Sequence, residues 1–449
     1  MFLKKIVNLK KGELVRKSYT CKKAKHAFVK ALKSKKISII AEIKSSSPSK
    51  GVIKKNFNLE NVARVYDKSN VQAISVLTEK NYFGGSIEFI QRVRKVTKKP
   101  ILRKDFIIDE NQIYESRYYG ADAILLIGEI LSLKQINRFV TVADDLGMDV
   151  IVEAHELSAL KKVLKSKAKI IGINNRDLNS LEMDMRTVER LAPLVKNKIL
   201  VAESGYSSKI DLALLPQNVQ SVLIGSSIMG SFDIVKKLES LKDKEKIVKI
   251  CGNTNIRDAR IALESGADLI GLIINVKKSK DSISITQAKE FLEKICRTRI
   301  VAVTLTKKVD EIVSVCKNLN PGYIQIHDEL SVAGVKKIRK MFPNIKIIKS
   351  VIVRGKNSLK EVRIYEPHAD LILLDSGAGS GRIHDWSLSK EIVGKSKRPV
   401  ILAGGLNPNN VAKAIKSVRP FGVDVNSGVK LRNRVKDPKK IKKFIKNAK

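Results

Sequence analysis

Short unbroken apolar runs recur along this chain, separated by stretches in which apolar positions return every three or four residues. In the first half the runs fall at 37–44, 71–78, 100–106, 121–127, 149–155, 169–175, 198–204 and 221–227. Runs with no polar alternation suit parallel strands covered on both faces. The stretches between them read as helices; 112–120, for example, ends in Gly120, where a helix would stop. The count then restarts at 247–252, 269–275, 299–305, 323–328, 346–353, 369–376, 399–405 and 422–428. Eight strand–helix units in about 200–250 residues, twice over, predict an α/β chain of two tandem (β/α)8 barrels. A doubly wound sheet competes, but it seldom runs to eight consecutive units twice. The charged segment 242–246 (K-D-K-E-K) is the natural join, giving domains 1–244 and 246–449.

This architecture sorts the polar residues. In such barrels the chemistry stands at the C-terminal ends of the strands, and phosphate sits on the loops after strands seven and eight. The first set of strand ends carries Glu42, Lys44, Lys104, Glu153, Asn174, Arg176, Glu203 and Ser204. Glu42 and Lys44 are two apart, so a strand projects both to the same side. Lysines and carboxylates crowded together shift one another's proton affinities, and one group can then act as acid while another acts as base. The plain alternative is a structural salt-bridge plug. Gly205, with Gly225 and Ser226, falls where a phosphate would be cradled by backbone N–H groups.

The second set carries less. Cys251 ends its first strand and Asp375 its sixth; a thiol of lowered pKa would serve as a base and a carboxyl of raised pKa as an acid. A lone cysteine is otherwise a small buried hydrophobe. Gly404, Gly405, Ser427 and Gly428 occupy the phosphate positions.

Composition changes this picture little. The 449 residues are 43% hydrophobic and carry a formal charge of +42, with only 5% aromatics. Lys and Arg are spread over both halves, without a zinc-finger or helix-turn-helix pattern, so the charge reflects a bias toward Lys, Ile and Asn codons. It attracts anionic substrates without specifying nucleic acid. No apolar run approaches the roughly 20 residues of a membrane span, and the N-terminus lacks a signal-like apolar core. The expectation is a cytoplasmic protein with no membrane attachment. The four cysteines show no metal or redox spacing, and neither metal nor cofactor is expected.

At this point a resemblance becomes specific. The segments A-E-I-K-S-S-S-P-S-K-G, S-V-L-T-E-K-N-Y-F-G-G-S, R-K-D-F, G-A-D-A-I-L-L-I, G-I-N-N-R-D-L, V-A-E-S-G and L-I-G-S-S run through the first half in order. That half resembles indole-3-glycerol-phosphate synthase, which closes an indole ring on carboxyphenylamino-deoxyribulose phosphate with loss of carbon dioxide and water. The resemblance implies Lys104 as general acid, Glu153 as general base, and Glu42 with Lys44 as a supporting pair. It implies Asn174, Glu203 and Ser204 at substrate polar groups, Arg176 at the anthranilate carboxylate, and Phe83 and Phe106 beside the aromatic ring. Ser47, Gly205, Gly225 and Ser226 would line the phosphate.

The second half resembles phosphoribosylanthranilate isomerase through K-I-C-G-N-T, S-G-A-D-L-I-G, I-Q-I-H, L-L-D-S, I-L-A-G-G-L-N-P-N-N-V and G-V-D-V-N-S-G-V. That family performs an Amadori rearrangement whose product is the first half's substrate. The resemblance implies Asp375 as the acid at the ring oxygen, Cys251 as the base, and Gln325 and His327 at the substrate. The partners expected are thus small anionic sugar phosphates, handled by a monomer. Three departures stand out. Asp281 occupies the place of the arginine that faces the anthranilate carboxylate, leaving Lys280 as a substitute or the isomerase weakened. Asp328 replaces a glycine, and His384 replaces an aromatic, after a short loop from Asp375 to Gly381.

Rival readings are a pair of histidine-biosynthesis barrel isomerases and a basic nucleic-acid scaffold. The former would favour paired aspartates at strands one and five; the latter predicts salt-sensitive DNA binding without turnover.

Overall fold

The computed structural model describes residues 2–33, 37–48, 51–53, 57–242, 245–327, 330–377, 384–431 and 435–449. Asp328, Gly381 and part of the 242–246 join lie outside them. The chain divides into two compact units, Met1–Asp243 and Lys244–Lys449.

In the first unit eight parallel strands close on themselves: β1 (Ser38–Ile43), β2 (Ala73–Leu77), β3 (Ile101–Lys104), β4 (Ala123–Ile127), β5 (Asp149–Ala154), β6 (Ile170–Asn174), β7 (Ile199–Glu203) and β8 (Ser221–Ile224). Each pairs with its neighbours in sequence, and β8 pairs back onto β1 through Ser38 opposite Ser221. The strands are apolar throughout because both faces are covered. Ile39, Ile74, Ile124 and Val152 belong to the layer under the helices, whereas Ile40, Ala73, Leu102, Leu125, Ile151 and Val201 fill the barrel interior.

Two N-terminal helices close the ends. Phe28 and Leu32 of α2 (Ala27–Leu32) are fully buried with the interior cluster, and the Val29 N–H donates to Asp149 Oδ2 at the start of β5. α2 therefore plugs the N-terminal end; truncating Phe28 to alanine would cost about 3–5 kcal/mol. α1 (Phe2–Glu13) belongs to the opposite end, where Lys10 pairs with Asp105 at 3.0 Å, one residue beyond β3. Burial opposes the Lys10 charge, and Asp105 more than restores it.

The second unit repeats the closure with β9 (Ile247–Ile250), β10 (Leu269–Ile274), β11 (Ile300–Thr304), β12 (Tyr323–Ile326), β13 (Lys346–Ile352), β14 (Leu371–Asp375), β15 (Val400–Leu402) and β16 (Gly422–Val425). The β9–β10 and β9–β16 pairings seal the ring, and a two-residue strand, Ser282–Ile283, adds to β10. All sixteen apolar runs are thus strands, and both units are (β/α)8 barrels.

Candidate active sites

Lys104 is the last residue of β3, and its side chain turns into the mouth of the first barrel. Its Nζ lies 2.7 Å from Glu153 Oε2 and 3.2 Å from Glu203 Oε2, so the ends of β3, β5 and β7 converge on one ammonium. Asn174, at the end of β6, donates to Glu153 Oε1 at 2.8 Å. Glu42 and Lys44 pair at 2.6 Å at the C-terminal end of β1. Alternation along each strand is what puts these groups on the interior face.

Small residues leave the room. Gly172, opposite Glu153 in register, would with a Cβ come within 2.4 Å of Glu203 Oε1. A Cβ at Gly225 would stand 2.3 Å from Glu42 Oε1 and 3.0 Å from Lys44 Nζ, so the glycine after β8 touches the charged pair of β1. Ser204 and Gly205 turn the chain with positive φ, and a side chain at Gly205 would strike Met185.

Burial drives the electrostatics. It opposes the Lys104 charge, but Glu153, Glu203 and Glu42 together lift Lys104 well above the ordinary lysine range. The two carboxylates part company. Burial raises both, yet Lys104 and Asn174 hold Glu153 below its ordinary value, while Glu203, burdened by Glu153, is pushed up to about 8. Near neutral pH one carboxyl is therefore ionised and the other protonated.

The remaining predicted groups lie on the segments that follow β1, β2, β3, β6 and β8. Phe83 and Phe106 have ring centroids 6.5 Å apart. Arg176 Nη1 donates to Leu181 O at 2.6 Å, and burial lowers its proton affinity. Ser47 Oγ is buried without a hydrogen-bond partner among the described residues. Ser226 opens a short helix, Ser226–Met229, whose first N–H groups lack intrahelical acceptors.

In the second barrel His327 Nε2 lies 3.2 Å from Asp375 Oδ2, while the Ser376 N–H donates to Oδ1 at 2.6 Å. Gln325 donates to Ser350 Oγ at 3.2 Å. The proton affinities differ from the sequence expectation at both groups. Burial raises Asp375, but His327 more than reverses this and holds it low. Cys251 is driven up by burial despite the lysines at 249 and 436. The glycine loops do meet: a Cβ at Gly428 would reach 2.0 Å from Leu406 O, directly after Gly404 and Gly405, and Ser427 opens the last turn.

Asp281 is not a bare acid at the rim. It pairs with Lys430 Nζ at 2.5 Å and accepts from Asn426 Nδ2 at 2.9 Å. His384 Nε2 lies 2.7 Å from Ser389 Oγ. Sequence reasoning missed Lys249, Asp424, Lys430 and Lys436, although a lysine and an aspartate inside otherwise apolar strands were visible as departures from pattern.

Two barrels that each gather acid–base groups and glycine loops on the C-terminal rim define a tandem (β/α)8 enzyme. Residues 3–241 match the family model for indole-3-glycerol phosphate synthase, and residues 248–447 match that for N-(5'phosphoribosyl)anthranilate isomerase. The chain is 37% identical over 424 residues to the tryptophan biosynthesis protein TrpCF of Buchnera aphidicola subsp. Schizaphis graminum, covering 93% of this chain and 90% of that one. TrpCF of Haemophilus influenzae is 36% identical over 419 residues, covering 91% and 86%. The crystal structure of phosphoribosyl anthranilate isomerase from Thermotoga maritima is 36% identical, with TM-score 0.41, over 45% of this chain and 98% of that one. The chain belongs to the TrpCF family, bifunctional tryptophan-biosynthesis enzymes that join synthase and isomerase in one polypeptide. No helix among the described residues is long and apolar enough to cross a membrane.

Proposed function

We propose that residues 246–449 isomerise N-(5-phosphoribosyl)anthranilate and that residues 1–244 close the indole ring on the product. The observation that carries this reading is the meeting of Lys104, Glu153 and Glu203 at the mouth of the first barrel.

In ring closure Lys104 protonates the substrate carbonyl as the ring carbon bearing the carboxylate attacks it. Carbon dioxide leaves, Lys104 regains a proton from solvent, and it then protonates the departing hydroxyl, which leaves as water. A substrate oxygen inserted between Lys104 and Glu153 separates the pair and removes the largest attraction holding that proton. Glu153, ionised, accepts the proton lost as the ring becomes aromatic. Glu203, protonated, donates to a substrate oxygen beside Asn174, and Arg176 faces the anthranilate carboxylate. Glu42 and Lys44 support the cluster, Phe83 and Phe106 flank the ring, and Ser47, Gly205, Gly225 and Ser226 hold the phosphate.

In the isomerase Asp375, in contact with His327, delivers the proton to the ring oxygen. Cys251 removes the proton from carbon 2, while Gln325 orients the sugar. Gly404, Gly405, Ser427 and Gly428 take the phosphate. The Asp281–Lys430 pair neutralises the acid at the rim, so the expected repulsion of the anthranilate carboxylate is relieved, although Asp281 cannot itself make the bidentate contact of an arginine.

The test supplies purified protein with phosphoribosylanthranilate and follows indole-glycerol-phosphate fluorescence. Wild type gives product, Lys104→Ala stops after isomerisation, and Cys251→Ala does not begin. Product from either variant at the wild-type rate refutes the corresponding assignment.

A further inference from the structure

Beneath Cys251 lie two charged side chains that this reaction scheme leaves unused. Lys249 and Cys251 are two apart along β9 and its end, so both point into the barrel. Lys249 is fully buried and stands opposite Asp424 in the β9–β16 register, with its Nζ 2.9 Å from Asp424 Oδ2. Across the other seam lies Gly271 of β10. A Cβ there would come 2.7 Å from Cys251 Sγ and 3.1 Å from Lys249 Nζ. Sulfur and ammonium thus converge over the space where a side chain is missing.

We propose that Lys249, held by Asp424, is the positioning residue whose charge makes the Cys251 thiolate available as the isomerase base. The proposal rests on the isomerase reading of this barrel.

A purely structural ion pair explains the site less well. Buried pairs at best break even against apolar packing, and Asp424 Oδ1 is buried with no hydrogen-bond partner among the described residues. Four further charged groups bear on the sulfur or its neighbours: Lys436 on Cys251 itself, Asp375 on Asp424, and Lys430 and Asp281 on Lys436. Lys436 cannot take Lys249's place. It spends its donors on Cys251 O at 2.5 Å and on Asn426 O and Oδ1 at 3.0 Å, and burial and Lys430 bring it down to about 7. Lys249 keeps its charge, since Asp424 outweighs burial, and that charge favours the thiolate.

The experiment titrates the Cys251 thiolate by its ultraviolet absorbance in the full chain, as a difference from Cys251→Ala, for wild type and Lys249→Met. A cooperative urea transition of the second barrel, followed by circular dichroism, reports that each variant is folded. The proposal expects the midpoint in Lys249→Met to rise by about one pH unit or more, a tenfold loss of thiolate near neutral pH. Isomerase turnover should fall about tenfold there and recover as pH rises. Should Lys249→Met not fold, Gly271→Ala, whose methyl group separates sulfur from ammonium, must raise the midpoint in the same direction. An unchanged midpoint in a folded variant overturns the proposal. A raised midpoint in a chain that leaves phosphoribosylanthranilate untouched supports the pairing and refutes the isomerase reading instead.

Discussion

Lys104 at the end of β3 and Glu153 at the end of β5 share a 2.7 Å contact across two strand positions of the first barrel. Glu203, 3.2 Å from the same ammonium, carries the opposite protonation state to Glu153. The asymmetry makes the two carboxyls unequal in a way that mutation reads. Glu153→Gln removes a base and lowers ring closure by about 10²–10⁴-fold. Glu203→Gln preserves a neutral donor and costs less than about tenfold, by the same reasoning. Steady-state turnover on supplied intermediate distinguishes them; equal losses contradict the assignment.

Stability should follow the same group. Glu203 is about 8 when folded against an ordinary 4.5, so between those values the folded chain binds more protons than the unfolded. Its contribution therefore declines as pH rises through that window. Glu203→Gln flattens the decline in urea melts of the first barrel's transition.

Lys436 has the reverse sign. Its folded value of about 7 lies below the ordinary 10.5, so the unfolded chain binds more protons between them. Stability from this group rises with pH from about 7 toward 10.5, and Lys436→Met abolishes the rise. Thermal melting against pH reads it.

Gly225→Ala drives a methyl group onto the Glu42–Lys44 pair. A displacement of about 1 Å can cost roughly 10²-fold in turnover. Ring closure should fall by that order with a raised KM, while the isomerase is unaffected.

The Asp281–Lys430 pair makes a charge-reversal prediction. Removing one partner of a buried pair costs about 3–5 kcal/mol, so Asp281→Asn and Lys430→Met should each destabilise the second barrel. Asp281→Arg alone should be worse, since it sets two cations together. Combined with Lys430→Glu it should recover stability in denaturant melts and lower the isomerase KM.

The barrels were legible because unbroken apolar runs such as 121–127 have one economical use, a strand covered on both sides. The first site was legible because its charges end those runs. Lys249 and Asp424 were hidden by the same rule: inside apolar strands, their role depends on which strand lies alongside. Register alone reveals it, since Asp424 follows Lys249 by 175 residues yet stands directly opposite. The Asp281–Lys430 pair was missed for a like reason, being joined only by closure of the ring. The proton affinities of Asp375 and Cys251 depended on His327 and on burial, neither of which strand-end position reveals.

The most direct measurement supplies carboxyphenylamino-deoxyribulose phosphate itself to the two single variants. Cys251→Ala should close the indole ring at the wild-type rate, and Lys104→Met should leave the intermediate intact while still forming it from phosphoribosylanthranilate. Ring closure by Lys104→Met, or its loss in a folded Cys251→Ala, would contradict the division of labour between the barrels.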